Sequence, residues 1–289
     1  MMVDEKPIGV ARYIRGLGSN VEAMVGVAIV LAVIVAAVAA PYLSPADPLA
    51  QNLSHRLLPP FWEKLGSTAH FLGTDQLGRD VLARLLYGAR ITLLVGFVCT
   101  FIAGTVGTML GIIAAYIGGR VDALIMRLAD IQLSLPFIIL AIALVAALGP
   151  SLFNIIIVLG LTSWVRFARV VRAETLVVRE LNYIEAAHAL GAGAWRIVRH
   201  HILPNVASPI IVVATLEIPR LILMEASLSF LGLGVQPPTP SWGSMVSEGR
   251  SYLDVAWWLT TVPGLAITVV VLSVNLVGDW LRDSLDVRM

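Results

Sequence analysis

Charge is scarce in this sequence. Aspartate, glutamate, lysine and arginine make up 13% of its 289 residues, hydrophobic residues make up 58%, and the mean hydropathy is +0.86. A soluble domain cannot hide that much apolar surface from water, so the composition points to an integral membrane protein. The net charge of +1 gives no argument for a nucleic-acid partner. Cysteine is almost absent. Cys99 falls in an apolar run and has no partner for an internal disulfide, so it says nothing about redox compartment.

Catalytic patterns are missing as well. There is no His-Glu-x-x-His and no serine–histidine grouping within one apolar run, which leaves an intramembrane enzyme without a constellation. Gly73-Thr74-Asp75-Gln76-Leu77-Gly78-Arg79-Asp80 has the Gly-x4-Gly spacing of a phosphate-binding loop. It lacks the Lys-Ser/Thr pair that reaches phosphate and metal. His200 and His201 are adjacent, so on a helix they point about 100° apart and suit a surface rather than a metal. The chain reads as a non-enzyme with no cofactor or metal of its own. No internal repeat or low-complexity segment is visible.

What is present is a series of long apolar runs. A helix needs about 20 such residues to cross the hydrocarbon core. Six runs qualify, near 21–40, 91–118, 123–148, 152–167, 208–231 and 259–281. The expected fold is all-α, a polytopic membrane protein with six transmembrane helices. It divides into an N-terminal segment 1–20, a first anchor 21–40, an outer segment 41–90, a five-helix core 91–281 and a tail 282–289. Lys6, Arg12 and Arg15 precede the first run, and Ala37-Val38-Ala39 resembles a signal-peptidase site. The run is long for a signal peptide and five more follow, so it reads as a retained anchor.

Lysine and arginine bias sets orientation. With the N-terminus inside, the segment between runs four and five is cytoplasmic and carries Arg166, Arg169, Arg172, Arg179, Arg196 and Arg199. Arg282 and Arg288 also fall inside. The outer segment holds Arg56, Lys64, Arg79, Arg84 and Arg90, largely balanced by Asp47, Glu63, Asp75 and Asp80. Both termini are expected in the cytoplasm. A second outer segment, 232–258, contains Gln-Pro-Pro-Thr-Pro-Ser-Trp-Gly-Ser-Met and ends with Trp257 and Trp258, which read as membrane-interface anchors. Trp242 suits a re-entrant loop or a docking surface. Ala103, Gly107, Gly111 and Ala115 form a small-residue ladder that lets two helices approach closely, so run two is expected in the interior or at a subunit contact.

The polar segment 182–205 lies on the inner side. Asn182 suits a helix cap and Glu185 the reciprocal bond. A short helix is expected over 183–190, closed by Gly191, where a left-handed turn costs least. A second is expected from Ala194 to about His201, ended by Leu203-Pro204. Ala186, Ala187 and Ala189 leave a low profile, and Trp195, Ile197, Val198 and Ile202 give an apolar side. Two readings stand: a helix resting on lipid, or a surface that docks another protein.

Run five carries Glu217, Arg220 and Glu225, with Pro219, Met224 and Ser227 beside them. Ionisable groups at membrane depth face protein or water. Glu217 and Arg220 share a helical face and can pair. A buried ion pair, a contact to another subunit and a polar wall along a substrate path all fit. Asp130 and Arg127 near the start of run three read as residues of the cytoplasmic interface.

The polar segment also resembles the EAA loop of permeases from ATP-binding-cassette importers. Glu185, Ala186, Ala187, Gly191, Leu203 and Pro204 match its pattern, while His201 stands where the general pattern has isoleucine. Gly-Thr-Asp-Gln-Leu-Gly-Arg-Asp from Gly73, Ser-Leu-Ser-Phe-Leu-Gly-Leu-Gly from Ser227 and Gly-Asp-Trp-Leu-Arg-Asp-Ser-Leu from Gly278 resemble the C-type permeases of dipeptide and oligopeptide importers. Val287 replaces a proline often found there. The resemblance implies a type I importer permease fold in the bacterial plasma membrane, with a coupling loop at about 173–205. It implies a homologous second permease, one or two kinds of ATPase subunit that bind ATP and Mg, and an extracytoplasmic solute-binding protein, all within membrane lipid. Short peptides are the implied cargo, with nickel or another small solute as the alternative. An ion-coupled secondary transporter, with Glu217, Arg220 and Glu225 as its coupling site, leaves the loop unexplained.

Overall fold

The computed structural model describes residues 20–44 and 46–286. The N-terminal expectation, with Lys6, Arg12 and Arg15, and the terminal positions Val287 and Arg288 lie outside the described residues. Twelve helices follow in order: α1 Val21–Val38, α2 Ala40–Leu43, α3 Val81–Ile117, α4 Gly119–Leu133, α5 Phe137–Leu148, α6 Leu152–Thr162, α7 Trp164–Arg179, α8 Asn182–Ala189, α9 Ala194–Ile197, α10 Leu203–Phe230, α11 Trp242–Gly249 and α12 Trp258–Asp286. A π turn, Val198–Ile202, joins α9 to α10. The described chain is all-helical apart from one isolated bridge, Thr74 to Asp80.

Five continuous or nearly continuous helices are long and apolar enough to cross a membrane, and the bent pair α4 and α5 makes up to six. Several sequence expectations change here. The second span, α3, begins at Val81, not near 91, because the Asp80 carboxylate accepts from the Ala83 amide at 2.8 Å and starts the helix there. The third span is broken, with α4 and α5 meeting at 90°. Pro136 causes the break, since proline lacks an amide proton and pushes the residue before it out of helical geometry. The fourth span does not stop near 167. It breaks at Ser163 and continues as α7, which places Arg166, Arg169, Arg172 and Arg179 on a helix rather than in a loop.

The two breaks face each other. Gln132, at the end of α4, donates to the Thr162 carbonyl at the end of α6 and accepts from Trp164 Nε1 at 2.9 Å. A helix end at membrane depth must have its free carbonyls met by protein, and Gln132 does this for Thr162 while also holding the Trp164 indole at the start of α7.

The core forms three layers along α3. Near its N-terminal end, the outer end in the orientation expected from the sequence, lie Val81, Ala89, Leu93, Ile222, Trp242 and Trp258. The middle holds Val95, Cys99, Ala141, Ile155, Leu159 and Leu221. The inner layer holds Ile112, Val171, Val178, Ile184, Ile197 and Ile202. The small-residue ladder is interior, against α7. A Cβ at Gly107 would sit 2.4 Å from the Trp164 carbonyl oxygen, and one at Gly111 2.7 Å from that of Ala168. Only glycine permits that approach.

The outer segments are also locked in. Trp242 is buried, and its Nε1 donates to the Leu85 carbonyl at 2.8 Å, so it is not an open docking surface. Trp258 is core and reaches the Thr74 carbonyl, whereas Trp257 is partly exposed and bonds Glu63. Asp75 pairs with Arg79 and Arg84 at 2.6 Å each, and Glu248 on α11 pairs with the same two guanidinium groups at 2.7 and 2.9 Å. The Gly73–Asp80 loop is no phosphate cradle. Its Leu77 and Arg79 amides already donate to the Asp75 carboxylate.

Candidate functional site

The inner end of the bundle carries an elbow formed by α8, Gly191 and α9. α8 starts one residue earlier than expected, with Leu181 at the cap position and no side-chain cap, so Asn182 and Glu185 do not form a capping box. Its end does follow the sequence. Gly191 has φ +82°, its amide donates to the His188 carbonyl at 2.9 Å, and the Ala192 amide donates to that of Ala187 at 3.0 Å. That is a Schellman closure, which requires a left-handed residue at the position glycine occupies.

One apolar stripe fastens the elbow to the bundle. Ile184, Ile197, Ile202 and Val206 are buried against Ile112 of α3 and Val171 and Val178 of α7. Arg179 Nη1 donates to the Ala115 carbonyl at 2.6 Å, tying the inner ends of α7 and α3. The opposite face is open. Glu185, Ala186, Gly191, Leu203 and Pro204 are exposed, Ala187 is half-buried, and Leu190 and Trp195 project with 89% and 74% exposure. Leu203-Pro204 does not end the second helix, because Leu203 keeps helical angles and α10 runs on. The wider π turn just before Pro204 gives the ring room. Asn205 Nδ2 donates to the His201 carbonyl and to Tyr183 Oη, bracing α10 against α8.

The second candidate lies at membrane depth, beside the two helix breaks. Glu217 is 1% exposed. One carboxylate oxygen accepts from Arg220, and the other lies 3.5 Å from Arg166 Nη1. The Arg220 guanidinium stacks on the Phe137 ring, 4.2 Å from its centroid. Arg169 pairs with Asp130, and Arg172 with Asp122. Asp130 therefore belongs to an ion-pair ladder between α4 and α7. Pro219 does not interrupt α10.

The structure brings Glu217 and Arg220 together as expected but separates Glu225 from them. Glu225 is fully buried and accepts from Ser229 Oγ at 2.7 Å and Ser241 Oγ at 3.0 Å, joining α10 to the cap of α11. Met224 packs into the middle core layer. Sequence reasoning missed Arg166 and Arg169 as members of the membrane-depth group. The signal was there: Arg166, Arg169 and Arg172 are three residues apart, one face of a helix.

Residues 107–289 match the family model described as binding-protein-dependent transport system inner membrane component, and residues 13–60 match the N-terminal transmembrane domain of oligopeptide transport permease C. A di/tripeptide transport system permease protein DppC of Pseudomonas aeruginosa is 42% identical over 98% of this chain and 93% of its own length. A probable D,D-dipeptide transport system permease protein DdpC of Escherichia coli is 45% identical over 85% of this chain and 80% of its own length. Among solved structures, an inward-facing MetNI methionine ABC transporter chain superposes with a TM-score of 0.57 at 21% identity, covering 70% of this chain and 96% of that one. This last likeness concerns the fold alone. The chain thus belongs to the inner-membrane components of binding-protein-dependent transport systems, and within them to the C-type permeases.

Proposed function

We propose that this chain forms half of the translocation pathway of an ATP-driven importer of short peptides. Separate ATPase subunits engage it through the elbow, with Glu185, Ala186, Ala187, Gly191, Leu203 and Pro204 at or beside the contact. ATP and Mg belong to those subunits. A homologous second permease supplies the other half of the path, and a solute-binding protein delivers cargo at the outer face. The protein sits in the bacterial plasma membrane with both termini in the cytoplasm. The peptide cargo is carried over from the printed names of the relatives.

One observation supports the coupling role above the others. The elbow is fastened to α3 and α7 by a buried stripe on one face, while its low-profile alanines and two large apolar side chains stay open on the other. A helix resting on lipid has no need of a fixed, small-residue outer face.

The test is reconstitution of the whole complex in proteoliposomes. Uptake of a labelled dipeptide is expected to need ATP and the ATPase subunits and to survive collapse of the proton gradient. A photocrosslinker at Leu190 is expected to capture an ATPase subunit. Uptake without ATPase subunits, or a crosslinker that captures only lipid, overturns the reading.

A further inference from the structure

We propose that Arg166 reads a carboxylate of the passing peptide, a role that rests on the peptide-importer reading above. Arg166 stands in the first turn of α7, about 20 Å along the helix from its inner end at Arg179. Glu217 lies a similar distance, about 20 Å, from the outer end of α10. The group is therefore deep in the membrane. Yet Arg166 and Arg169 are 55% and 49% exposed. A guanidinium is always charged and is costly against hydrocarbon, so this face meets water or protein. The paired helix breaks lead to the same conclusion, since irregular backbone at this depth is tolerated only inside protein or along a water-filled cavity.

A cavity of about 380 Å³ opens at this place, lined by Arg166, Arg169 and Glu217 with Leu133, Val170 and Leu216 as part of its apolar wall. Its charges do not cancel. Arg169 is matched by Asp130. Glu217 is one carboxylate shared by two guanidinium groups, and Arg220 holds it more closely while stacking on Phe137. Arg166 reaches the remaining oxygen only at 3.5 Å, and among the described residues that is its ion-pair partner. Its other N–H groups are available to the cavity. An apolar wall with one surplus planar cation suits a small molecule that pairs neutral side chains with a carboxylate. The guanidinium fork binds a carboxylate through two parallel hydrogen bonds, where an ammonium offers a point charge. Glu217 then acts as the resting partner that the peptide carboxylate displaces from Arg166, so the hold is transient.

The complex in proteoliposomes, with its binding protein saturated by each peptide, separates the arms. The probes are dialanine, its C-terminal amide, and an amidated dipeptide carrying an aspartate side chain. Wild type is expected to import the free acid about tenfold faster than the plain amide, the worth of one charge-assisted contact. R166Q is expected to slow the free acid by about that factor while leaving the amide within about twofold, and R166K to fall between. If the aspartate amide behaves like the free acid, the site reads any carboxylate; if it behaves like the plain amide, the terminal one. An R166Q complex that keeps the wild-type ratio of acid to amide overturns the proposal and leaves the importer reading standing. So does an R166Q chain that fails to join the second permease while R166K keeps that ratio, because Arg166 is then an interface residue. Absence of any ATP-driven dipeptide uptake in wild type removes both.

Discussion

Two glycines show how position decides what a single residue does. Gly191 closes α8 at φ +82°, and a Cβ there would meet nothing within 4 Å. Alanine in that left-handed turn costs about 1 kcal/mol of backbone strain and no clash. Gly191→Ala is therefore expected to insert normally and to retain part of the uptake. Gly191→Trp places bulk on the open face where an ATPase is proposed to dock. It is expected to abolish ATP-driven uptake while membrane extraction and blotting still recover the chain at wild-type level. Ala187→Asp is expected to do the same by adding charge. Gly107 behaves differently, because its missing side chain faces the Trp164 backbone. Gly107→Val is expected to lower the amount of inserted protein itself, since backbone cannot step aside as a flexible side chain can. Normal uptake by well-inserted Gly191→Trp would count against docking at the elbow.

Among the elements, α11 is the one whose role is hardest to see in the sequence. Eight residues between prolines and tryptophans read as loop or interface, yet α11 is wedged between α10 and α12 and held at both ends. Ser241 at its start bonds Glu225, and Glu248 near its end meets Arg79, Arg84 and Gln76. Burial alone would raise the Glu248 pKa. The hydrogen bond and charge of Arg84, then Gln76 and Arg79, outweigh it and hold the carboxyl below its ordinary value. A depressed carboxyl contributes stability that is complete above the unfolded pKa, about 4.3, and is lost as pH falls through the lower folded value. The melting temperature of the purified complex is therefore expected to be insensitive to this group above about pH 5 and to drop below about pH 4. Glu248→Gln is expected to lower the stability at neutral pH by about 2 kcal/mol, seen as a lower melting-temperature plateau, and to remove part of the acid step. An unchanged acid profile in the variant would show that Glu248 does not contribute to it. The same contrast sets what the sequence makes legible. Six apolar runs and the Gly191 turn could be read because hydrophobic length and left-handed geometry are local properties. The break at Ser163 could not, since its stability comes from Gln132 thirty residues away. Nor could the separation of Glu225 from Glu217, which Ser241 fixes from another segment.

For the molecule as a whole, the proposed coupling raises the question of how a push at the elbow would reach the proposed path. The inner core layer joins the elbow to α3 and α7, and α3 runs on through the middle and outer layers. The glycine ladder keeps α3 and α7 in backbone contact below the charged group. A displacement of α8 is thus carried by packed helices that respond as rigid bodies, because close-packed interiors transmit strain rather than absorb it. Ile184 and Ile155 test this, since both are wholly buried isoleucines, one in the inner layer and one in the middle. Truncating either to alanine is expected to cost roughly 2–5 kcal/mol, depending on how far the site collapses. Stability loss alone would then lower uptake and ATP hydrolysis together in both variants. Under the proposed coupling, loosening the elbow is different: the ATPases would still close, but their motion would be taken up in the cavity left at Ile184. Ile184→Ala is expected to keep most of the peptide-stimulated ATP hydrolysis while transporting several-fold less dipeptide per ATP, a loss of about 1 kcal/mol in coupling. Ile155→Ala is expected to leave that ratio at the wild-type value even where the total rate falls. Equal ratios in the two variants would mean that the inner layer holds the elbow in place without carrying its motion.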